Sequence, residues 1–64
     1  MTVNNFLELL DEWNDIHFLY DGEIQDIMYV YYDKRNDIPQ KILDSKIVKI
    51  SAFEEDRIAI YIEK

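Results

Sequence analysis

From Arg57 to Ile62 the chain alternates strictly, with Ile58, Ile60 and Ile62 on one side of an extended segment and Arg57, Ala59 and Tyr61 on the other. Three β-branched apolar side chains on one face of a strand must be covered. The cover has to come from a chain of 64 residues without a cysteine, so neither a disulfide nor a thiolate metal site can replace packing. A chain of this length buries only about 60% of the surface its unfolded form exposes, which leaves room for one core and none for a deep catalytic cleft beside it. Residues 1–64 are therefore expected to form a single small domain.

The rest of the chain supplies partners for that strand. Thr2 can cap a helix whose apolar positions Val3, Phe6, Leu7, Leu10 and Trp13 recur at helical spacing, with Leu9 widening the stripe. Ile16 to Tyr20 reads as a strand, Asp21-Gly22 as a tight turn and Ile24 to Tyr32 as a longer strand, because Asp-Gly between β-prone runs is a strong hairpin signal. Asp37, Pro39 and Gln40 look like a helix start, with Asp37 as cap and Gln40 closing a capping box. Lys46 to Ser51 alternates as a strand joined to Arg57–Ile62 by Ala52 to Asp56, whose Glu54-Glu55-Asp56 run favours a solvated turn. The expected fold is α+β: a four-stranded, mainly antiparallel sheet with an N-terminal helix on one face and a short helix between two hairpins.

The side-chain parity follows from the pleat. Ile58, Ile60 and Ile62 face inward with Val48 and Ile50 as neighbours, and Ile16 and Phe18 join them with Met28 and Val30. His17, Leu19, Ile27, Tyr29, Tyr31, Lys49 and Tyr61 then fall on the opposite face. Both faces of the second strand are apolar, so a bulge near Asp26 could exchange them.

Charge is divided unevenly. Residues 1–33 carry eight acids (Glu8, Asp11, Glu12, Asp15, Asp21, Glu23, Asp26, Asp33) and no Lys or Arg, a formal −8, while residues 34–64 carry six acids and seven bases, a formal +1, giving −7 in all. In a helix running past Trp13, Glu8, Asp11, Glu12 and Asp15 share the outer arc and make it wholly anionic. A net charge of this sign argues against direct contact with nucleic acid, whose affinity for proteins comes largely from Lys and Arg neutralising phosphates, and favours a basic protein partner. The alternative is an acidic surface that only confers solubility.

Catalytic chemistry has little to stand on. One histidine, His17, cannot form an imidazole cluster, Ser45 and Ser51 have no activating elbow, and Glu54-Glu55-Asp56 reads as a turn. The expectation is a protein that is not an enzyme and uses no metal or other cofactor. The N-terminus lacks a basic-then-apolar leader and no apolar run reaches membrane-spanning length, so a cytoplasmic protein without membrane contact is expected. Tyr20, Tyr29, Tyr31, Tyr32 and Tyr61 are dense enough to suggest base stacking on a basic sheet; beside acids they better suit a protein interface or a homodimer face.

The segment Asp37-Ile38-Pro39-Gln40-Lys41-Ile42-Leu43-Asp44-Ser45-Lys46-Ile47-Val48-Lys49-Ile50 and the ending Ile58-Ala59-Ile60-Tyr61-Ile62-Glu63 resemble those of small acidic proteins of prophages and mobile elements in low-GC Gram-positive bacteria. The resemblance covers nearly the whole chain, although Tyr29 to Tyr32 is richer in tyrosine than that pattern, and it implies location and size rather than mechanism. In compactness and acidity the chain is also similar, more loosely, to phage anti-CRISPR inhibitors and other anti-defence proteins that mimic DNA. That similarity implies an inhibitor of a basic, nucleic-acid-binding host defence protein, a CRISPR effector nuclease being one such partner. Its carboxylates Glu8, Asp11, Glu12, Asp15, Asp21, Glu23, Asp26 and Asp33 would replace phosphates, with Tyr29 and Tyr31 anchoring the contact. The competing expectation is a homo-oligomeric structural or adapter module that self-associates through its tyrosine-rich face.

Overall fold

The computed structural model describes residues 1–10, 13–54 and 56–64, and of Phe53 the backbone only. In chain order the elements are helix α1 (Val3–Leu7), strands β1 (Asp15–Tyr20) and β2 (Met28–Val30), a 3-10 helix over Tyr32–Asp37, helix α2 (Gln40–Leu43) and strands β3 (Ile47–Glu54) and β4 (Arg57–Ile62). The architecture is α+β, with one four-stranded sheet in the order β2-β1-β4-β3.

The sheet is mixed rather than purely antiparallel. β1 pairs antiparallel with β2, and β3 with β4, but the central pair β1–β4 is parallel, in register from Asp15↔Arg57 to Tyr20↔Ile62. The chain leaves edge strand β2, crosses through the 3-10 helix and α2, and enters at the opposite edge as β3, so that β4 returns beside β1. A parallel pair is normally covered on both faces, and the two central strands are accordingly the most buried part of the molecule. Ile16, Phe18, Val30, Ile58, Ile60 and Ile62 form the inner face, and Val3 from α1 with Ile38 and Ile42 from the crossing segment complete the core.

Several sequence expectations are corrected. Thr2 caps α1 as expected and forms a capping box with Asn5: the Asn5 N–H donates to Thr2 Oγ1 (3.2 Å) and the Thr2 N–H donates to Asn5 Oδ1 (3.4 Å). The helix ends at Leu7, where Leu9 N–H and Leu10 N–H turn to carbonyls three residues back and tighten the chain. Trp13, expected on its apolar stripe, is 69% exposed, and Asp15 belongs to β1 instead of the helix. The expected outer arc of this helix is therefore not formed by Glu8 and Asp15 together; Asp11 and Glu12 lie outside the described residues.

Asp21-Gly22 does turn the chain, with Gly22 at φ 83° and Glu23 N–H donating to the Tyr20 carbonyl (3.1 Å). The second strand, however, starts only at Met28, so the connection is a long loop rather than a two-residue hairpin turn. Ile27, freed from strand alternation, packs against the core instead of facing away from it. Asp37 ends the 3-10 helix and caps nothing: Pro39 occupies the cap position of α2, with no side-chain hydrogen bond there. Along β3 the register shifts between Ile47 and Lys49, which turns Ile47 toward the core and leaves Val48, expected inward, 46% exposed. Ile50 keeps its expected place opposite Ile60 and is 41% exposed because β3 is an edge strand.

Candidate interaction surface

Two exposed regions gather the residues with binding chemistry. The first is the loop of residues 21–27. Its ends are fixed, with Asp21 N–H donating to the Ile62 carbonyl (2.9 Å) and Ile27 N–H to the Phe18 carbonyl (2.7 Å). Between those anchors it carries Asp21, Glu23 and Asp26, all exposed, around Ile24, which is 96% exposed. Glu23 Oε2 is paired with Lys64 Nζ at 3.1 Å, and Asp26 Oδ2 meets His17 Nδ1 at 2.9 Å. Among the described residues, the Asp21 carboxylate forms no ion pair, and the same holds for Glu8 and Asp33 elsewhere on the surface.

The second region is the sheet face opposite the helices. His17, Tyr29 and Tyr31 stack edge-on along it, with ring centroids 4.4 Å and 5.2 Å apart. Lys49 Nζ lies 4.6 Å over the Tyr61 ring. Beneath these rings Leu19 and Ala59 are buried, so the aromatic layer acts as the sheet's own second cover. Tyr31 rises from it at 60% exposure, and Trp13 meets Tyr32 at 5.4 Å beside a shallow groove of about 470 Å³ lined by Leu7, Leu10, Tyr32, Asp33, Arg35 and Asn36.

Asp15 has a different role from the other acids. Its Oδ2 accepts the Tyr29 hydroxyl (2.8 Å) and its Oδ1 accepts the Tyr32 N–H (2.7 Å), so one carboxylate ties β1 to β2 and to the start of the 3-10 helix. The donated hydrogen bond, burial and the Asp15 charge raise the Tyr29 pKa, against a weaker opposing effect of Arg57. Arg57 is itself raised, chiefly by its hydrogen bond and ion pair to Glu54. Asp15 and the Tyr29 hydroxyl are thus used internally.

The structure brings Asp21, Glu23 and Asp26 together in one loop and sets Tyr29 beside Tyr31, while Glu8 lies at the end of α1 and Asp33 in the 3-10 helix just after Tyr31, both outside that loop. Ile24 and Trp13 were not singled out as binding residues by sequence reasoning. Ile24 carried a usable signal: a lone apolar residue between Glu23 and Gln25-Asp26 breaks the alternation of the strands around it. Trp13 carried none, because its spacing from Leu10 suits a helix face.

Among the described residues no group of three or more His, Cys, Asp or Glu side chains is arranged to hold a metal ion, and no helix is long and apolar enough to cross a membrane. No family model, curated protein or solved structure matches the chain.

Proposed function

We propose that this protein is a small acidic, phage-type inhibitor that binds a basic nucleic-acid-binding host defence protein in the cytoplasm and acts by occupying its surface rather than by catalysis. The observation that carries the reading is the 21–27 loop: three exposed carboxylates surround an isoleucine that is 96% exposed. This connection between β1 and β2 is longer than the about two to five residues that usually close a hairpin, which leaves surface residues to spare for binding. The carboxylates are attracted to a positive cleft and speed encounter with it, while Ile24 gives the contact an apolar centre that free nucleic acid would not supply. This narrows the expected contact, which took in both the outer arc of the N-terminal helix and the hairpin, to the loop. Glu8 and Asp33 extend the negative field, and Asp15 is removed from the contact because it holds β2.

The test is an affinity capture from host lysate at low and then high salt, with the retained protein identified by mass spectrometry. Capture of a nucleic-acid-processing protein, lost as salt rises, competed by DNA or RNA, and abolished in the Asp21→Lys/Glu23→Lys/Ile24→Ser variant supports the proposal. Capture that ignores salt and survives that variant refutes it. A second reading, self-association through the tyrosine face as a structural or adapter module, is favoured by the 60% exposure of Tyr31 next to Tyr29. It predicts that Tyr31→Ala converts an oligomer to a monomer in sedimentation.

A further inference from the structure

Strand β3 is an edge of the sheet, hydrogen-bonded to β4 on one side. Among the described residues its outer side is closed only at the start. Thr2 bridges antiparallel to Lys46 and the Ile47 N–H donates to the Met1 carbonyl (3.0 Å), after which no strand of the described residues accompanies it. The stretch from Lys49 to Glu54 therefore presents backbone donors and acceptors to the outside, beside Val48 and Ile50 at 46% and 41% exposure. Such an edge is a template for another strand.

The charges on this edge select what that strand is. Lys49 is paired with Tyr61 across β4, and Glu54 with Arg57. Arg57 and Tyr61 are four residues apart in one strand and so share a face, which places Lys49 and Glu54 on that same ring-bearing face. The register shift between Ala52 and Glu54 is what allows two residues an odd number apart to do so. The open stretch thus begins with a cation and ends with an anion on one side of the sheet. Laid antiparallel on a copy of itself, it sets Lys49 of each chain against Glu54 of the other; a parallel arrangement would set like charges together.

We propose that two copies of this chain pair antiparallel through β3 over Lys49–Glu54, joining two four-stranded sheets into one of eight strands about a two-fold axis. The arrangement is isologous, so one self-complementary patch closes the assembly without forming a filament. Ile50 and Ala52 stand opposite Ile60 and Ile58 in the β4 register, on the core-facing side, and pairing covers that open margin of the core. The N-terminal rung at Lys46 and Ile47 limits the ladder at each end, where the partner's strand reaches its acidic turn. The rings of His17, Tyr29 and Tyr31 and the 21–27 loop take no part.

Sedimentation equilibrium across a wide concentration range tests this with the whole chain and two charge variants. Wild type is expected to dimerise, Lys49→Glu and Glu54→Lys each to sediment as monomers at concentrations where wild type is dimeric, and their equimolar mixture to recover the dimer. The mixture recovers it because the carboxylate introduced at position 49 of one variant then meets the ammonium introduced at position 54 of the other, while the second contact keeps its original pair, Glu54 against Lys49. Recovery also shows that both variants are folded, which circular dichroism checks independently. Tyr31→Ala should leave the dimer intact. Wild type that stays monomeric throughout, single variants that dimerise like wild type, or a mixture that stays monomeric would each overturn the proposal. Loss of the dimer in Tyr31→Ala with its retention in Lys49→Glu would do the same and assign the contact to the ring face.

Discussion

Strands β3 and β4 are held together along a ladder that runs from Ile47↔Ile62 to Glu54↔Arg57, whereas β1 and β2 share only Ile16↔Val30, His17↔Tyr29 and Phe18↔Met28. The first pairing is a long backbone ladder whose inner side carries isoleucines. The second is so short that polar side chains supplement it: Asp15 reaches to Tyr29 and the Tyr32 N–H, and Asp26 reaches back to His17. The comparison teaches that the two antiparallel pairs of one small sheet can rest on different physics. Apolar area and ladder length hold one, and a few charge-assisted hydrogen bonds hold the other in register.

The difference can be broken most severely at the point the two pairs share. Ile60 is fully buried in β4, between β1 and β3, and Ile60→Ala should cost about 2–5 kcal/mol and loosen both pairs together, read as a lowered denaturant midpoint and faster amide exchange in all four strands. A milder and more selective loss is expected from Asp15→Ala, about 1–3 kcal/mol, because the Tyr29 hydroxyl and the Tyr32 N–H both lose their acceptor. Amide exchange should then accelerate first at Met28–Val30 while Ile58–Ile62 stays protected. Equal acceleration in both segments would show that the two pairs are not separately held.

The smallest effect sharpens the comparison through pH. The Tyr29 pKa is raised in the folded protein, so the neutral phenol is the stabilised form. Its contribution is fully present below the unfolded tyrosine value of about 10 and is lost as pH climbs from there through the higher folded value. Thermal melts of wild type and Tyr29→Phe should therefore differ below that range and converge above it, with the difference between the two curves removing the titration of the other tyrosines. Parallel curves at all pH values would mean that the Asp15 contact adds nothing to the pairing of β1 with β2.

The same division decides what sequence could disclose. The inner face of β4, and Ile16 and Phe18 beside it, are written in period-two alternation, and the structure keeps those residues buried. Alternation failed at Ile47 and Val48 because a register shift resets the parity, and a bulge leaves no compositional mark there. The extent of β2 was illegible for another reason. Ile24 to Tyr32 has the β-prone composition of a long strand, but Asp15 captures the Tyr32 N–H and the residues beyond enter a 3-10 helix. Parallel pairing of β1 and β4 was equally hidden, since it depends on where the crossing segment lands rather than on any local pattern. At the candidate site, the negative charge of the 21–27 loop was legible in composition, while its shape around Ile24 required knowing where β2 begins.

The parallel register Asp15↔Arg57 to Tyr20↔Ile62 also governs how the molecule is made. On a ribosome, β1 emerges about forty residues before the strand that will lie beside it, and until residues 57–62 arrive Ile16 and Phe18 have no central partner. The antiparallel pair formed earlier has three rungs and is too slight to persist alone. Until β4 is made the sheet is therefore unfinished, and the nascent chain leaves the apolar side chains of β1 open to proteases and chaperones.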